Sequence, residues 1–323
     1  MRKALGLLSG GLDSMLAVRV LKEQGIDVTA ISFVTPFFSS KRAERAAREM
    51  KVPIIIKNIT VKHLKMLLKP KHGYGSNMNP CIDCHALMLN IAGKIMEEKK
   101  IDFLFTGEVL GERPMSQNKT SLQIVAKESG YEDFVLRPLS AKLLPETKPE
   151  REGKVDRSRL LDLSGRQRKR QFELAKKYQL KSIPTPASGC LLTDPGFSNR
   201  LRDLFATKRN PTPEDVELLK TGRHIRLDID NKIIVGRNEA DNKILAEIKN
   251  DEYKLFFPKE VRGPHCMVPK RLKGKLFCKA LDICASYCSA SESDDIMFVA
   301  TEEKEAIKTS FSKANRPKKF IGS

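Results

Sequence analysis

The sequence predicts an α/β protein, with a doubly wound parallel sheet in roughly the first 140 residues and a smaller α+β domain after it. Three observations carry this expectation. Apolar stretches of strand length recur near 3–8, 27–34, 53–59, 101–106 and 134–138, with helix-length segments between them. Two of these, IIIKNI at 54–59 and FLFTG at 103–107, are almost continuously apolar, as strands covered on both faces must be. From residue 222 onward the pattern changes to strand-like pieces, HIRLDID and KIIVGRN, then a helix-like ADNKILAEI, FFPKEVRGPHCMV, an apolar-spaced helix from Leu276 to Ser289, and IMFVATEE. A polar segment at 207–221 with Pro211 and Pro213 reads as the linker, giving domains at 1–206 and 222–323.

The first strand, Ala4 to Leu8, runs straight into Ser9, Gly10, Gly11, Leu12, Asp13 and Ser14, which open an amphipathic helix reaching about Gln24. Two glycines let the backbone turn sharply and approach an anion. Ser9 and Ser14 add hydroxyl donors, and the helix N-terminus supplies unpaired N–H groups with positive partial charge. Asp13 would be repelled by phosphate, so its expected role is to hold a magnesium ion beside it. The chain has neither a GxGxxG nor a GxxxxGK[ST] pattern at this loop, which disfavours a Rossmann dehydrogenase and a Walker-type NTPase. Thr106, Gly107 and Glu108 follow another strand and are expected in the same crevice.

Composition limits the partners. With 59 Lys and Arg against 40 Asp and Glu, the formal charge of +19 points to a polyanion, nucleic acid being favoured over a merely soluble surface. Residues from 222 onward hold 20 basic against 15 acidic side chains, and those before it 39 against 25. Most of the surplus is therefore in the first part, densest between Lys142 and Lys181, around Arg166, Arg168, Lys169 and Arg170. No apolar run is long enough to span a membrane and no signal-peptide pattern is present, so a cytoplasmic location is expected.

Seven cysteines in a reducing compartment suggest metal ligation or catalysis rather than a disulfide framework. Cys81 and Cys84 form a CxxC placed just before an apolar helix, Ala86 to Glu97, and Cys190 is the best candidate for a third ligand. A redox dithiol and a zinc knuckle are the plain readings of the pair. Three thiolates suit an iron–sulfur cluster with one open iron, whereas zinc would want a fourth ligand such as His85 or water. Cys278, Cys284 and Cys288 share one predicted helix with apolar residues and are expected to be small core side chains.

The string SGGLDS resembles the signature of the PP-loop ATP pyrophosphatase superfamily, whose fold is the adenine-nucleotide α-hydrolase type and whose members split ATP between the α and β phosphates. Taken with NPCIDC (79–84), TGEVLGERPMSQ (106–117), LRPLS (136–140) and SGCLLTDP (188–195), it resembles tRNA thiolation enzymes. The ThiI-type 4-thiouridine synthetases look nearest, and the MnmA-type 2-thiouridylases a step further. This resemblance covers about residues 1–205 and implies a fold, a nucleotide set and a cysteine set. The nucleotide set is Ser9, Gly10, Gly11, Leu12, Asp13, Ser14, Phe33, Thr106 and Gly107, holding ATP with Mg2+. In the three-cysteine members Cys81, Cys84 and Cys190 would hold a [4Fe-4S] cluster. Zinc, or a cysteine persulfide without metal, is the alternative. Asp13 and the three cysteines are then the catalytic residues.

The pieces VGRNEADNKIL (235–245), RGPHCMV (262–268) and ALDICASYCSAS (280–291) resemble the NFACT-R domain, an RNA-binding module. The resemblance of residues 1–205 to thiolation enzymes implies that tRNA is the partner, that a uridine carbonyl oxygen is adenylated and replaced by sulfur, and that 4-thiouridine is the product. The chain begins at the first catalytic strand, so the ferredoxin-like and THUMP region usual in the ThiI type is expected to be missing. Sulfur must then come from an external donor, and a homodimer is left open. A basic insertion at 143–170 matches no family residue. Another PP-loop ligase, or an RNA-binding protein with an inactive loop, are the competing classes.

Overall fold

The structure, a computed structural model, describes residues 2–181, 190–248, 250–301 and 305–322. Ser188 and Gly189 of the SGCLLTDP element lie outside the described residues, while Cys190 lies within them. The chain divides into two compact units, Met1–Cys190 and Leu191–Ser323.

The first unit begins with β1 (Lys3–Leu7), α1 (Leu12–Lys22), β2 (Asp27–Val34), α2 (Lys41–Met50), β3 (Ile54–Asn58) and α3 (Thr60–Leu68). It continues through α4 (Cys81–Glu98), β4 (Phe103–Thr106), α5 (Lys119–Ser129), β5 (Val135–Leu136), a short α6 (Lys148–Arg151) and α7 (Lys169–Lys177). All five strands pair in parallel in the order β3-β2-β1-β4-β5. Neighbouring strand residues go to opposite faces, as the period of two demands. Ala4, Phe103, Phe105 and Leu136 pack with α1, α2 and α7, whereas Leu5, Leu104 and Val135 pack with α4 and α5. Phe103 and Phe105 are fully buried, each contributing about 1.5–3 kcal/mol of transfer free energy. The expected doubly wound sheet is present, and its strands fall within two residues of the expected ones.

This strand order creates a switch point. From β1 the chain winds outward through β2 to β3, then returns to β4 on the other side of β1. The loops after β1 and β4 diverge to opposite faces and leave a crevice between them.

Helix α4 differs from the expected Ala86–Glu97. It starts at Cys81, so the CxxC forms its first turn rather than preceding it. The amide of Cys84 makes the first helical bond to the carbonyl of Pro80 at 2.8 Å. Asp83 steadies the turn, because its carboxylate accepts the backbone N–H groups of Lys71 and His72 at 2.9 and 3.0 Å and complements the positive helix end. Three residues apart, Cys81 and Cys84 share one helix face.

The basic stretch 143–170 packs onto the unit as an ordered strap. Val155, Leu160 and Leu163 are buried in the core of the α1 face. Ser164 bridges to Leu110 in parallel, and the Gly165 amide donates to the Leu110 carbonyl at 2.7 Å.

The second unit contains α8 (Pro195–Thr207), α9 (Pro213–Leu218), β6 (Arg223–Arg226), β7 (Lys232–Val235), α10 (Glu239–Glu247), β8 (Tyr253–Pro258), β9 (Cys266–Pro269), α11 (Gly274–Ala285), β10 (Asp295–Ala300) and β11 (Ala306–Ser310). The strands form an antiparallel sheet in the order β11-β10-β8-β9-β7-β6. Segment 207–221, read as a linker, carries α9, whose Thr212 and Asp215 form a reciprocal capping box and whose Val216 and Leu218 are buried. Helix α11 ends at Ala285, before the expected Ser289. Cys266, Cys284 and Cys288 are buried in the apolar core, but Cys278 is exposed on the helix, correcting its expected place. Among the described residues no helix is long and apolar enough to cross a membrane.

Gly10 fixes the turn after β1. Its φ is +76°, and a Cβ there would lie 2.4 Å from the Arg42 carbonyl carbon at the start of α2. Gly10→Ala is therefore expected to destabilise the first unit by about 1–3 kcal/mol, whereas at Gly11 the nearest atom to an added Cβ is the rotatable Ser9 hydroxyl at 3.3 Å. Urea or thermal unfolding of the two variants should rank Gly10→Ala well below Gly11→Ala; equal stability would refute this account of the turn.

Candidate active site

A cavity of about 590 Å3 opens at the switch point. Ser9, Gly11, Leu12, Asp13 and Ser14 line it on one side, Thr106, Gly107 and Glu108 on another, and Phe33 from the end of β2. Of the expected nucleotide set only Gly10 is not at the wall, since it supports the turn from behind. The two loops touch through backbone. A Cβ on Gly107 would fall 2.4 Å from both the amide nitrogen and the Cα of Ser14.

The loop hydroxyls are held in register. Ser14 Oγ donates to the Gly11 carbonyl at 2.8 Å, Ser9 Oγ to Ser14 Oγ at 3.3 Å, and the Gly11 amide to Ser9 Oγ at 3.2 Å. With the N-terminal N–H groups of α1 beside them, they make a pocket end suited to a polyphosphate. Asp13, in the first turn of α1, has a buried Oδ1 with no hydrogen-bond partner. Burial pushes its carboxyl up from the ordinary value, and the Arg168 guanidinium offsets this in part. A buried carboxylate oxygen without a donor, beside a phosphate-binding turn, fits a divalent cation such as Mg2+.

Behind the wall lies a second electrostatic unit. Glu108 accepts from Arg137 Nε at 3.0 Å and from Thr106 Oγ1 at 2.9 Å through one oxygen, and contacts His85 Nδ1 at 2.9 Å through the other. Burial alone would raise its pKa, yet Arg137 and the His85 and Thr106 bonds outweigh it and hold the carboxyl at about 2. A charged Glu108 thereby fixes the His85 ring, which forms part of the cavity wall.

His85 also joins the cavity to the cysteines, being the next residue after Cys84. Cys84 Sγ lies 3.4 Å from Nε2 of the buried His63, and Asn79 Nδ2 donates to Cys81 Sγ at 3.2 Å. Burial pushes the Cys84 thiol far up, and the nearby Cys190 and Cys81 push it further. Cys81 and Cys190 are thus both within electrostatic range of Cys84, the residue before the wall residue His85. Among the described residues no three His, Cys, Asp or Glu side chains converge tightly enough to hold a metal ion. His63 is kept below its ordinary value, at about 4, by burial, between the rings of Phe37 and Phe38.

Several wall residues had no expected role in the sequence. Arg42, Glu112, Arg113, Arg166 and Arg168 all line the cavity. Glu112 and Arg113 lie in the TGEVLGERPMSQ segment and Arg166 and Arg168 in the dense basic run, but neither pattern says which side chain turns inward.

Residues 1–142 match the family model described as thiamine biosynthesis protein (ThiI), and residues 222–321 that of the NFACT protein RNA binding domain. Among curated proteins, one named "Probable tRNA sulfurtransferase" from Ureaplasma urealyticum is 34% identical over 144 residues, covering 42% of this chain and 36% of its own. The tRNA-specific 2-thiouridylase MnmA of Desulfosudis oleivorans is 33% identical over 86 residues, covering 25% of this chain and 24% of its own. The chain thus spans about a third or less of the length of these relatives. Similar solved structures include a predicted subunit of tRNA methyltransferase from Methanocaldococcus jannaschii, 17% identical, with 67% of this chain and 91% of that one covered and a TM-score of 0.40. A 4-thiouridine synthetase–RNA complex with bound ATP is 26% identical, with 47% and 39% covered and a TM-score of 0.35. Residues 1–142 are thus similar to the ThiI family, and residues 222–321 to the NFACT-type RNA binding domain.

Proposed function

We propose that this protein is an ATP-dependent tRNA sulfurtransferase that adenylates a uridine carbonyl oxygen and replaces it with sulfur, 4-thiouridine being the product. One observation carries the reading. The switch-point cavity joins a phosphate-binding turn, with the partnerless Asp13 oxygen, to a wall residue, His85, that directly follows the CxxC. Activation and sulfur handling then occur at two sides of one wall. The ThiI match over residues 1–142 and the RNA binding domain at 222–321 support the substrate class. Cytoplasmic location and an external sulfur donor belong to the same reading.

In this scheme the turn at Ser9–Ser14 receives the β and γ phosphates, and Asp13 holds Mg2+. The uridine oxygen attacks the α phosphorus and pyrophosphate leaves, so the ring carbon carries AMP as a good leaving group. Sulfur arrives from the cysteine side and displaces it. To bring a ring carbon to this depth, the nucleotide must leave its stack. A [4Fe-4S] cluster held by Cys81, Cys84 and Cys190 would supply a sulfide-carrying iron beside the wall. Burial keeps Cys84 a thiol, so any metal held there must take the place of its proton. Glu108 and Arg137 keep His85 in place between the two chemistries.

Asp13→Ala is expected to abolish AMP formation, while Cys190→Ala should spare adenylation and stop thiolation. Anaerobic protein, reconstituted with iron and sulfide and given ATP, Mg2+, sulfide and unmodified tRNA, should yield a thiouridine detected by nucleoside mass. ATP cleavage to AMP without any thionucleoside in the wild type would move the reading to another adenylated substrate. Equal loss of both steps in Cys190→Ala would make that cysteine structural.

Arg137→Ala should destabilise the first unit by up to about 3–5 kcal/mol, by leaving the buried Glu108 with only His85 and Thr106 as partners. Glu108 is held below its ordinary 4.5, so its contribution is complete above pH 4.5 and is lost as pH falls toward about 2. The stability gap between wild type and Glu108→Gln should therefore shrink across that window in pH-dependent denaturation. A gap constant with pH would show that Glu108 is not ionised in the fold.

A further inference from the structure

Arg168 reaches the nucleotide cavity from the basic strap, beyond the residues matched to the ThiI family. Its guanidinium lies 3.5 Å from Asp13 Oδ2 and 3.7 Å from Glu112 Oε1. Both separations exceed the 2.7–2.9 Å, approximately, of a well-formed charge-assisted bond. The looseness is matched by orphaned atoms on either side, since Arg168 Nε and Asp13 Oδ1 are both buried without a hydrogen-bond partner. A guanidinium that is always charged and has five donors is therefore held against two carboxylates by one long hydrogen bond and one long ion pair, with a donor and an acceptor left over.

The carboxylates are also mutually unfavourable. Burial raises the Glu112 carboxyl, and the charge of Asp13 raises it further, while Arg168 and Arg113 oppose both effects. Such a pair is stabilised by positive charge, and besides Arg113, whose charge acts on both carboxylates, there are the Arg168 guanidinium and the Mg2+ for which the Asp13 oxygen is suited. With Mg2+ on the carboxylates, the guanidinium that leaves them is free for phosphate. The backbone under Arg168 is fixed by the Gly165–Leu110 hydrogen bond on one side and the start of α7 on the other. The guanidinium carbon lies 5.6 Å from the centroid of the Phe172 ring, which offers its flat face an apolar surface.

We propose that Arg168 is an exchangeable cation of this site. It neutralises Asp13 and Glu112 in the absence of nucleotide, yields them to Mg2+ when a magnesium nucleotide enters, and passes to the polyphosphate. The inference rests on the ATP reading above, and it predicts effects of opposite sign from one substitution. Arg168→Ala removes the competitor for the carboxylates, so a divalent ion without nucleotide should bind more tightly, by about tenfold. It also removes a charge-assisted phosphate contact, so nucleotide should bind about 10–100-fold more weakly. Arg168→Lys keeps the point charge and loses the fork, and should fall between wild type and Arg168→Ala in both measurements.

The test uses the full chain and binding alone. Mn2+ uptake without nucleotide is followed by electron paramagnetic resonance, and α,β-methylene-ATP binding at fixed Mg2+ by calorimetry, for wild type, Arg168→Ala and Arg168→Lys, with melting temperature measured alongside. Tighter ion binding with weaker nucleotide binding is the expected result. Both affinities falling together, or neither changing, would make Arg168 a fixed structural counter-ion and overturn the inference while leaving the ATP reading intact. Failure of the wild type to bind the nucleotide analogue at all would overturn the ATP reading, and this inference with it.

Discussion

The backbone contact between the end of β4 and the first turn of α1 is the constraint on which the site depends. Gly107 sits so close to Ser14 that no side chain fits between them. This contact brings the Thr106–Glu108 corner directly against the phosphate-binding turn and sets the depth of the cavity. The strand order makes the approach possible, because β1 and β4 are hydrogen-bonded neighbours whose following segments leave to opposite faces. The small residues on both sides of the contact are therefore conditions of the geometry. The polar groups of the cavity wall are attached to a frame that backbone packing has already fixed.

Two charge systems of different character share that frame. Glu108 and Arg137 are both buried, meet at 3.0 Å and have further partners, so the carboxyl is charged and rigid. Asp13 and Arg168 stand further apart at 3.5 Å with orphaned atoms on each, so burial prevails and the Asp13 carboxyl is raised. A well-satisfied buried pair orients a neighbour, here His85. An under-satisfied pair leaves room for a new partner, which is what a site exchanging ions and phosphates requires.

Much of the frame was legible in the sequence, because buried parallel strands are continuous apolar runs and the SGGLDS string has its own turn chemistry. The start of α4 was not, since its first turn is steadied by Asp83 bonding to a loop more than ten residues earlier, a contact no local pattern reveals. The Glu108–Arg137 pair spans 29 positions and exists only once β4 and β5 lie side by side. The short β11, with alternating exposed polar residues, carries little apolar signal of its own. Cys278 was misplaced because a helical pattern alone does not say which face the sheet will cover. Arg168 was visible only as one cation within a basic run, because its inward turn is decided by the Gly165 anchor.

The positive surplus also becomes intelligible from the fold. Helices α2 and α7 both pack against α1 on the same side of the sheet. Their buried faces use small side chains, Ala43, Ala46, Ala47 and Ala175, while Arg42, Arg45, Arg48, Lys169, Arg170, Lys176 and Lys177 remain exposed. Arg42 and Arg166 continue this positive side down to the cavity mouth. Inside the cavity Arg113 and Arg168 act on the carboxylates of Asp13 and Glu112, and Arg42 and Arg166 add further positive charge to the lining. The positive side of the unit therefore continues from the helix surfaces into the cavity. Exposed arginines and lysines meet the phosphates of a polyanion without specifying a base, in a salt-dependent way, so any base preference must come from groups other than these.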